Sequence, residues 1–192
     1  MNLRNLTQEE IALLSRQGCT ASDWQRVLVA QDFKTDFIHH TRFSGDIRLG
    51  VFEHEFILNG GVPKHSGLSY VTLHNCQVGN NTLIENIPNY IANYNIGEEC
   101  FIQNANLIVT EGYRSFGNGT QVAVLNETGG REVPIFNNLS AHLAYIIALY
   151  RHYPPLTEKL KNIIARYTES VSSDRGTIGN RVHIINTGTI RN

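Results

Sequence analysis

Branched aliphatic residues recur at every sixth position through the middle of this chain. Val78, Ile84, Ile96, Ile102 and Ile108, with Tyr90 among them, occupy one phase of six consecutive hexads. Phe37, Phe43 and Leu49 keep the same spacing earlier, ahead of an irregular stretch with Gly60, Gly61 and Pro63. A two-residue slip between Glu111 and Ser115 displaces the phase; Phe116 and Val122 resume it, and Ile178, Ile184 and Ile190 repeat it near the end. A helical face brings apolar residues back every three or four positions and a half-buried strand every second one, so neither explains a beat of six. A coil with three short flat sides does. Each hexad forms one side with its first residue inward, and three hexads advance the chain by one strand spacing, about 4.8 Å. Ile96 is then expected to stack on Val78, Ile102 on Ile84 and Ile108 on Tyr90, with Phe116 and Val122 extending the inward ladder. Each buried aliphatic contributes about 1.5–3 kcal/mol, so the ladder itself is the core. Tyr90, Tyr94 and Pro88 fit a narrow interior poorly, and a bulge or a one-residue shift of register is expected in that coil.

The flanks carry a different period. Thr7 and Glu10 form a capping box ahead of Ile11, Leu13 and Leu14, and Gly18 stops that helix. Ser22 is placed to cap a second helix through Trp24, Val27 and Leu28. Between Val122 and Ile178 the beat of six disappears. Leu139, Leu143, Ile146, Ile147 and Tyr150 share one helical face, Pro154 and Pro155 break the chain, and Leu156, Leu160, Ile163, Ile164 and Tyr167 mark a second helix, together an antiparallel hairpin. The expected organisation is a helical cap over 1–32, a β-helix over 33–125, a loop and helical hairpin inserted over 126–176, and the β-helix resumed over 177–192. The last hexad is half complete and uncapped, which reads as an excised or truncated fragment.

The turns Val78-Gly79-Asn80-Asn81-Thr82-Leu83, Ile96-Gly97-Glu98-Glu99-Cys100-Phe101 and Ile178-Gly179-Asn180-Arg181-Val182-His183 share an inward aliphatic, a glycine and a small fifth residue. The glycine is expected to supply positive φ at the corner, and the small residue to let the sides close. These turns resemble the hexapeptide-repeat family over about half of the chain. The resemblance implies a left-handed parallel β-helix, which the general right-handed crossover rule would not predict. The run from the helical start through Asn-Tyr-Ile-Ala-Asn-Tyr-Asn-Ile to Gly-Thr-Ile-Arg-Asn looks like the N-terminal part of an uncharacterised family of longer bacterial hexapeptide-repeat proteins.

Composition narrows the function classes. Hydrophobic residues are 41% and charged residues 17% of the 192, as in a soluble globular protein, and the formal net charge of −1 offers no field for a nucleic-acid backbone. Met1 to Leu14 carries Glu9 and Glu10 and no long apolar run, and no stretch suits a bilayer, so a cytoplasmic setting without membrane partners is expected. Cys19, Cys76 and Cys100 include no CxxC pair, which suggests neither a disulfide framework nor a zinc knuckle.

Chemistry then rests on a few side chains. The resemblance implies a histidine as general base toward a sugar hydroxyl or amine, as in UDP-N-acetylglucosamine acyltransferases, and His74 just before the regular ladder is the first choice. His39, His40 and His54 lie on an early face near the cap, and His142 and His152 fall in the helices. The γ-class carbonic anhydrases share the implied coil but bind zinc through histidines five apart, a spacing missing here, so no metal is expected. The loop Asn126 to Glu132 is the second candidate. Gly129 and Gly130 could offer amides to an anion, Arg131 a fork of donors, and Asn126, Glu127 and Glu132 contacts for sugar hydroxyls; a plain connector needs the same residue types. The resulting expectation is a transferase acting on a sugar or nucleotide-sugar. Its acyl-CoA donor and a homotrimeric assembly are implied by resemblance alone. The competing expectation is a non-catalytic binding or assembly module that docks through Tyr145, Tyr150, Tyr153 and Tyr167 on the hairpin.

Overall fold

The computed structural model describes residues 2–123 and 129–191. It is mainly β, with parallel sheets, and divides into two units: Met1–Glu111 with Arg175–Asn192, and Gly112–Asp174.

In the first unit, short strands stack in three parallel ladders. One runs from Val27–Ala30 through Ile47–Leu49, Gln77–Val78 and Tyr94–Ile96 to Gly176–Ile178, with Leu3–Asn5 antiparallel at its start. The second carries Leu83–Glu85, Phe101–Gln103 and His183–Ile185; the third carries Ile91–Ala92, Leu107–Val109 and Thr189–Arg191. The longer strands Ile38–Ser44 and Gly67–His74 pair with each other and serve both of the last two ladders. The expected inward residues come together: Val78, Ile96 and Ile178 are in register, as are Ile84, Ile102 and Ile184. Val78, Ile84, Ile96, Ile102 and Ile108 are all buried.

Four inward assignments are corrected. Ile108 pairs with Ile91, not Tyr90, whose ring is exposed. Pro88 has no N–H for the ladder, so this side takes seven residues from Ile84 to Ile91 and the next takes five to Ile96. Ile38 replaces Phe37 in the interior for the same kind of one-residue offset, and Phe37 stands outside. Phe116 and Val122 do not continue the ladder: both are exposed and lie in the second unit, where Val122 pairs antiparallel with Val133.

The repeat's glycines also work differently from the expectation. Positive φ occurs two residues later, at Asn81, Glu99 and Arg181 (58°, 54° and 59°). Gly79 and Gly97 are required by stacking instead. A Cβ on Gly79 would lie 2.5 Å from the Gly97 carbonyl, and one on Gly97 would lie 2.7 Å from the Asn180 amide nitrogen. Thr82 and Cys100, in the small fifth places, are buried, and Thr82 Oγ1 donates to the Gly97 carbonyl at 2.8 Å.

Helix α1 (Gln8–Arg16) begins at the expected capping box, with Thr7 accepting from the Glu10 amide and Glu10 from the Thr7 amide. The second expected helix is absent. Asp23, rather than Ser22, caps a single 3₁₀ turn at Trp24–Arg26, and Val27–Ala30 is a strand. Val27 and Val29 alternate into the core, and β-branched residues packed this way favour the ladder over a helix.

The second unit begins with the hairpin Gln121–Ala123 and Glu132–Pro134, followed by α2 (Ala141–Leu149) and α3 (Pro154–Val171). Ser140 caps α2 through the Leu143 amide. Pro154 and Pro155 open α3 rather than forming the break, because proline's missing N–H is unneeded in a first turn. Val133, Ile147, Ala148 and Ile164 form its core. No helix among the described residues is long and apolar enough to cross a membrane.

Candidate functional site

His74 ends the strand Gly67–His74, exposed, at the corner between the third ladder and the first. Its ring is held at both nitrogens: Ser44 Oγ lies 2.8 Å from Nδ1 and Asn75 Nδ2 lies 3.0 Å from Nε2. The backbone chooses the tautomer. Asn75 Oδ1 accepts the Asp46 amide at 3.0 Å, which turns the Asn75 –NH₂ toward both His74 Nε2 and Asn93 Oδ1. Nε2 is therefore the acceptor, Nδ1–H donates to Ser44, and the Ser44 hydroxyl faces the Leu73 carbonyl at 3.4 Å. The result is an oriented imidazole at the protein surface whose Nε2 lone pair receives the Asn75 amide.

Asn75 links this ring to a polar cleft of about 190 Å³ lined by Asp46, Arg48, Cys76, Gln77, Asn95 and Arg175. Register builds it. Arg48 pairs with Gln77, Gln77 with Asn95, and Asn95 with Thr177, so four outward side chains form a row along the first ladder. Arg175 enters from the segment that rejoins the ladder, and its guanidinium donates to the Asn75 carbonyl at 2.9 Å. Only glycine could follow it: a Cβ on Gly176 would lie 2.3 Å from the Tyr94 ring. Asp46 is paired with Arg26 at 2.9 Å, and that hydrogen bond holds its carboxyl below the usual carboxylate range. Three guanidinium groups thus stand around one carboxylate, with two side-chain amides beside them. Convergent arginine forks and amides suit a phosphate or carboxylate ligand.

Cys76 forms the buried side of the cleft and is no nucleophile. Burial pushes its thiol up to about 11, and Sγ faces the His74 and Ile91 carbonyls. Cys19 and Cys100 are buried as well. An aromatic disulfide reagent at pH 8 is therefore expected to release no thiolate from the native chain within minutes, and three equivalents after addition of denaturant. Rapid release from the native state would show that this corner opens.

The glycine loop falls in the second unit, whereas His74 belongs to the first. Asn126 and Glu127 lie outside the described residues. Gly129 and Gly130 are exposed at positive φ, and Glu132 opens a hairpin strand. The Gly130 amide, expected to face an anion, donates to the Glu132 carboxylate at 3.1 Å, and the Arg151 guanidinium reaches the Gly129 carbonyl at 3.5 Å. Arg131, half-buried, immediately precedes that strand.

Arg48, Gln77, Asn95 and Arg175 do not stand out by residue type, yet the sequence carries a signal for them. The residue before each inward Leu49, Val78, Ile96 and Ile178 reads Arg48, Gln77, Asn95 and Thr177; the residue three before reads Asp46, Asn75, Asn93 and Arg175. Stacking the outward columns as well as the inward one finds the cleft.

A family model described as a domain of unknown function, DUF4954, matches residues 3–192. An uncharacterized protein of Treponema pallidum (strain Nichols) is 29% identical over 186 residues, covering 91% of this chain and 26% of that protein. The chain thus spans about a quarter of the length of this curated relative. No solved structure matches.

Proposed function

The chain belongs to the DUF4954 family, and from its geometry we propose that it is a left-handed β-helix of the hexapeptide-repeat kind that acts as a transferase on a phosphorylated sugar or nucleotide-sugar. The observation that carries this reading is the continuity of the His74–Ser44–Asn75 network with the Arg48–Arg175 cleft. Arg48 and Arg175 take the phosphate, Gln77 and Asn95 take hydroxyls, and His74 Nε2, exchanging its hydrogen bond from Asn75 Nδ2 for one from the substrate, takes the proton from the acceptor hydroxyl or amine. With an acyl thioester such as acyl-CoA as donor, the acceptor atom bonds to the acyl carbon and the C–S bond breaks. The proton held by His74 then passes to the leaving thiolate. A cytoplasmic setting and trimeric assembly accompany the proposal. The anion-binding role expected of Arg131 passes to the cleft in this reading.

The test is a thermal-shift and turnover series on the full-length protein with sugar nucleotides and CoA esters. A ligand at a hundredfold excess over its Kd adds about 2.7 kcal/mol. For a chain of this size that raises Tm by about 5–10 °C. Arg48→Ala and Arg175→Ala are each expected to remove most of the shift. His74→Ala should keep the shift and lower kcat by two to four orders of magnitude, as general-base loss does (about 10²–10⁴). A complete panel with no shift, or His74→Ala at full activity, defeats the transferase reading.

One observation favours a binding module instead: Tyr145, Tyr150, Tyr153 and Ile163 are all exposed on the helical hairpin of the second unit. In that case Tyr145→Ala with Tyr153→Ala would abolish capture of a protein partner while leaving every small-molecule shift unchanged.

A further inference from the structure

The corner between the second and third ladders is built from one residue per turn, each in the left-handed region. Reading along it gives His40, Tyr70, Asn86, Asn104 and Asn186, with φ of 46°, 52°, 55°, 55° and 54°. The three asparagines form an amide ladder, Asn86 donating to Asn104 at 2.6 Å and Asn104 to Asn186 at 2.9 Å. Asparagine tolerates this conformation, and stacked amides satisfy each other. At the other end the ladder changes chemistry. His40 and Tyr70 stack with ring centroids 4.7 Å apart and planes 19° apart. Bulky side chains are unusual at positive φ, so this corner holds two aromatic rings where asparagine fits with less strain. Gly18 accommodates them, since a Cβ there would lie 2.5 Å from His40 Nδ1.

The rings border an open cavity of about 510 Å³, within the range of small-molecule sites. Beside them runs an outward row in register, Thr20, Arg42 and Thr72, while Asn86 and Pro88 lie on the following turn. Tyr70 is 62% exposed, although the residues flanking the row, Thr41 and Val71, are buried. No carboxylate among the described residues forms an ion pair with Arg42.

We propose that this aromatic corner is a second binding site, separate from the His74 cleft, for an acidic pyranose. The ligand's chemistry follows from the lining. An exposed aromatic ring suits the apolar C–H face of a sugar. The Thr20 and Thr72 hydroxyls and the Asn86 amide exchange hydrogen bonds with sugar hydroxyls. Arg42 pairs a carboxylate or phosphate carried on the ring. The site does not depend on His74 or on any transfer reaction.

Saturation-transfer NMR on this chain with D-glucuronate, D-glucose 1-phosphate and D-glucose tests it. Both acids are expected to show saturation concentrated on the C–H protons of one ring face, and glucose to bind at least tenfold more weakly. Tyr70→Asn installs the residue the next three turns already use, so Tm should hold or rise while affinity for the acids falls tenfold or more. These variants are read with glucuronate, because glucose 1-phosphate also suits the His74 cleft: Arg42→Gln should remove the preference for glucuronate over glucose, and Arg175→Ala should leave glucuronate binding unchanged. Absence of signal from glucuronate, equal binding of glucose, wild-type glucuronate binding by Tyr70→Asn, or loss of glucuronate on Arg175→Ala in place of Tyr70→Asn would each overturn the proposal. Competition between glucuronate and glucose 1-phosphate supports it, because one arginine serves both anions.

Discussion

Ile102→Asp is expected to leave the first unit unfolded. Ile102 is fully buried, paired with Ile84 on one side and Ile184 on the other, at the middle of the second ladder. The substitution removes an aliphatic worth about 2–4 kcal/mol with its cavity and places a carboxylate where no cation reaches it. Together these cost about 5 kcal/mol or more, comparable to the whole stability of many domains. The strands around it, Leu83–Glu85, Phe101–Gln103 and His183–Ile185, are three residues long and have no stability of their own, so loss of this rung is loss of the stack. Far-UV circular dichroism and denaturant titration read the outcome. Ile102→Val is the companion control, expected to cost about 1 kcal/mol and to lower Tm by a few degrees. A cooperative transition for the aspartate variant near the parent midpoint would sink the idea that this column is the core.

Gly79→Ala is expected to be nearly as damaging, although it adds one methyl group and alanine is ordinarily better tolerated than glycine. Gly79 is not at positive φ, so backbone conformation offers no objection. The objection is the next turn: the added carbon would sit 2.5 Å from both the carbonyl carbon and oxygen of Gly97 and 2.8 Å from the Glu98 nitrogen. All three are backbone atoms and cannot rotate aside. Relieving the contact means opening the hydrogen bond from the Gly79 amide to the Ile96 carbonyl, 2.9 Å long, or tilting the turn. A cost of about 3 kcal/mol follows from overpacking of this kind. Gly179→Ala made in this 192-residue chain is the contrast, because nothing in it lies within 4 Å of the place the methyl group would take, and there it should shift Tm by little. Equal effects at Gly79 and Gly179 would show that conformational freedom, not stacking, selects these glycines.

The beat of six was legible because every inward residue sees the same environment one turn away, so a single column of the sequence repeats. That is why Val78, Ile84, Ile96, Ile102 and Ile108 could be placed without coordinates, and why the capping box at Thr7 and Glu10, a local pattern, held as well. Tyr90 and Phe37 could not be placed, since a one-residue bulge leaves the count of six intact on either side of it. Ser22 to Leu28 reads equally as a helix or a strand over so few residues, and only pairing with Ile47–Leu49 decides. The candidate site divides in the same way. His74 was visible by residue type, but its tautomer depends on the Asp46 amide, 28 residues away in sequence. Arg175 has no local signal, because a 63-residue unit, Gly112–Asp174, separates it from Glu111, and only its place three before the inward Ile178 puts it in the column of Asp46 and Asn75.

The sequence by itself therefore determined what repeats: a mainly β chain, its inward aliphatic column, and the two helices of the second unit. Those features depend on spacing along the chain, and spacing is written in the order of residues. Only the tertiary structure decided which outward side chains meet. Arg48, Gln77 and Asn95 become neighbours of Arg175 because parallel register brings each turn about one strand spacing above the last. Polar surface residues need not repeat in type from turn to turn, since water accepts almost any of them, so their columns are found only through the register that the buried column sets.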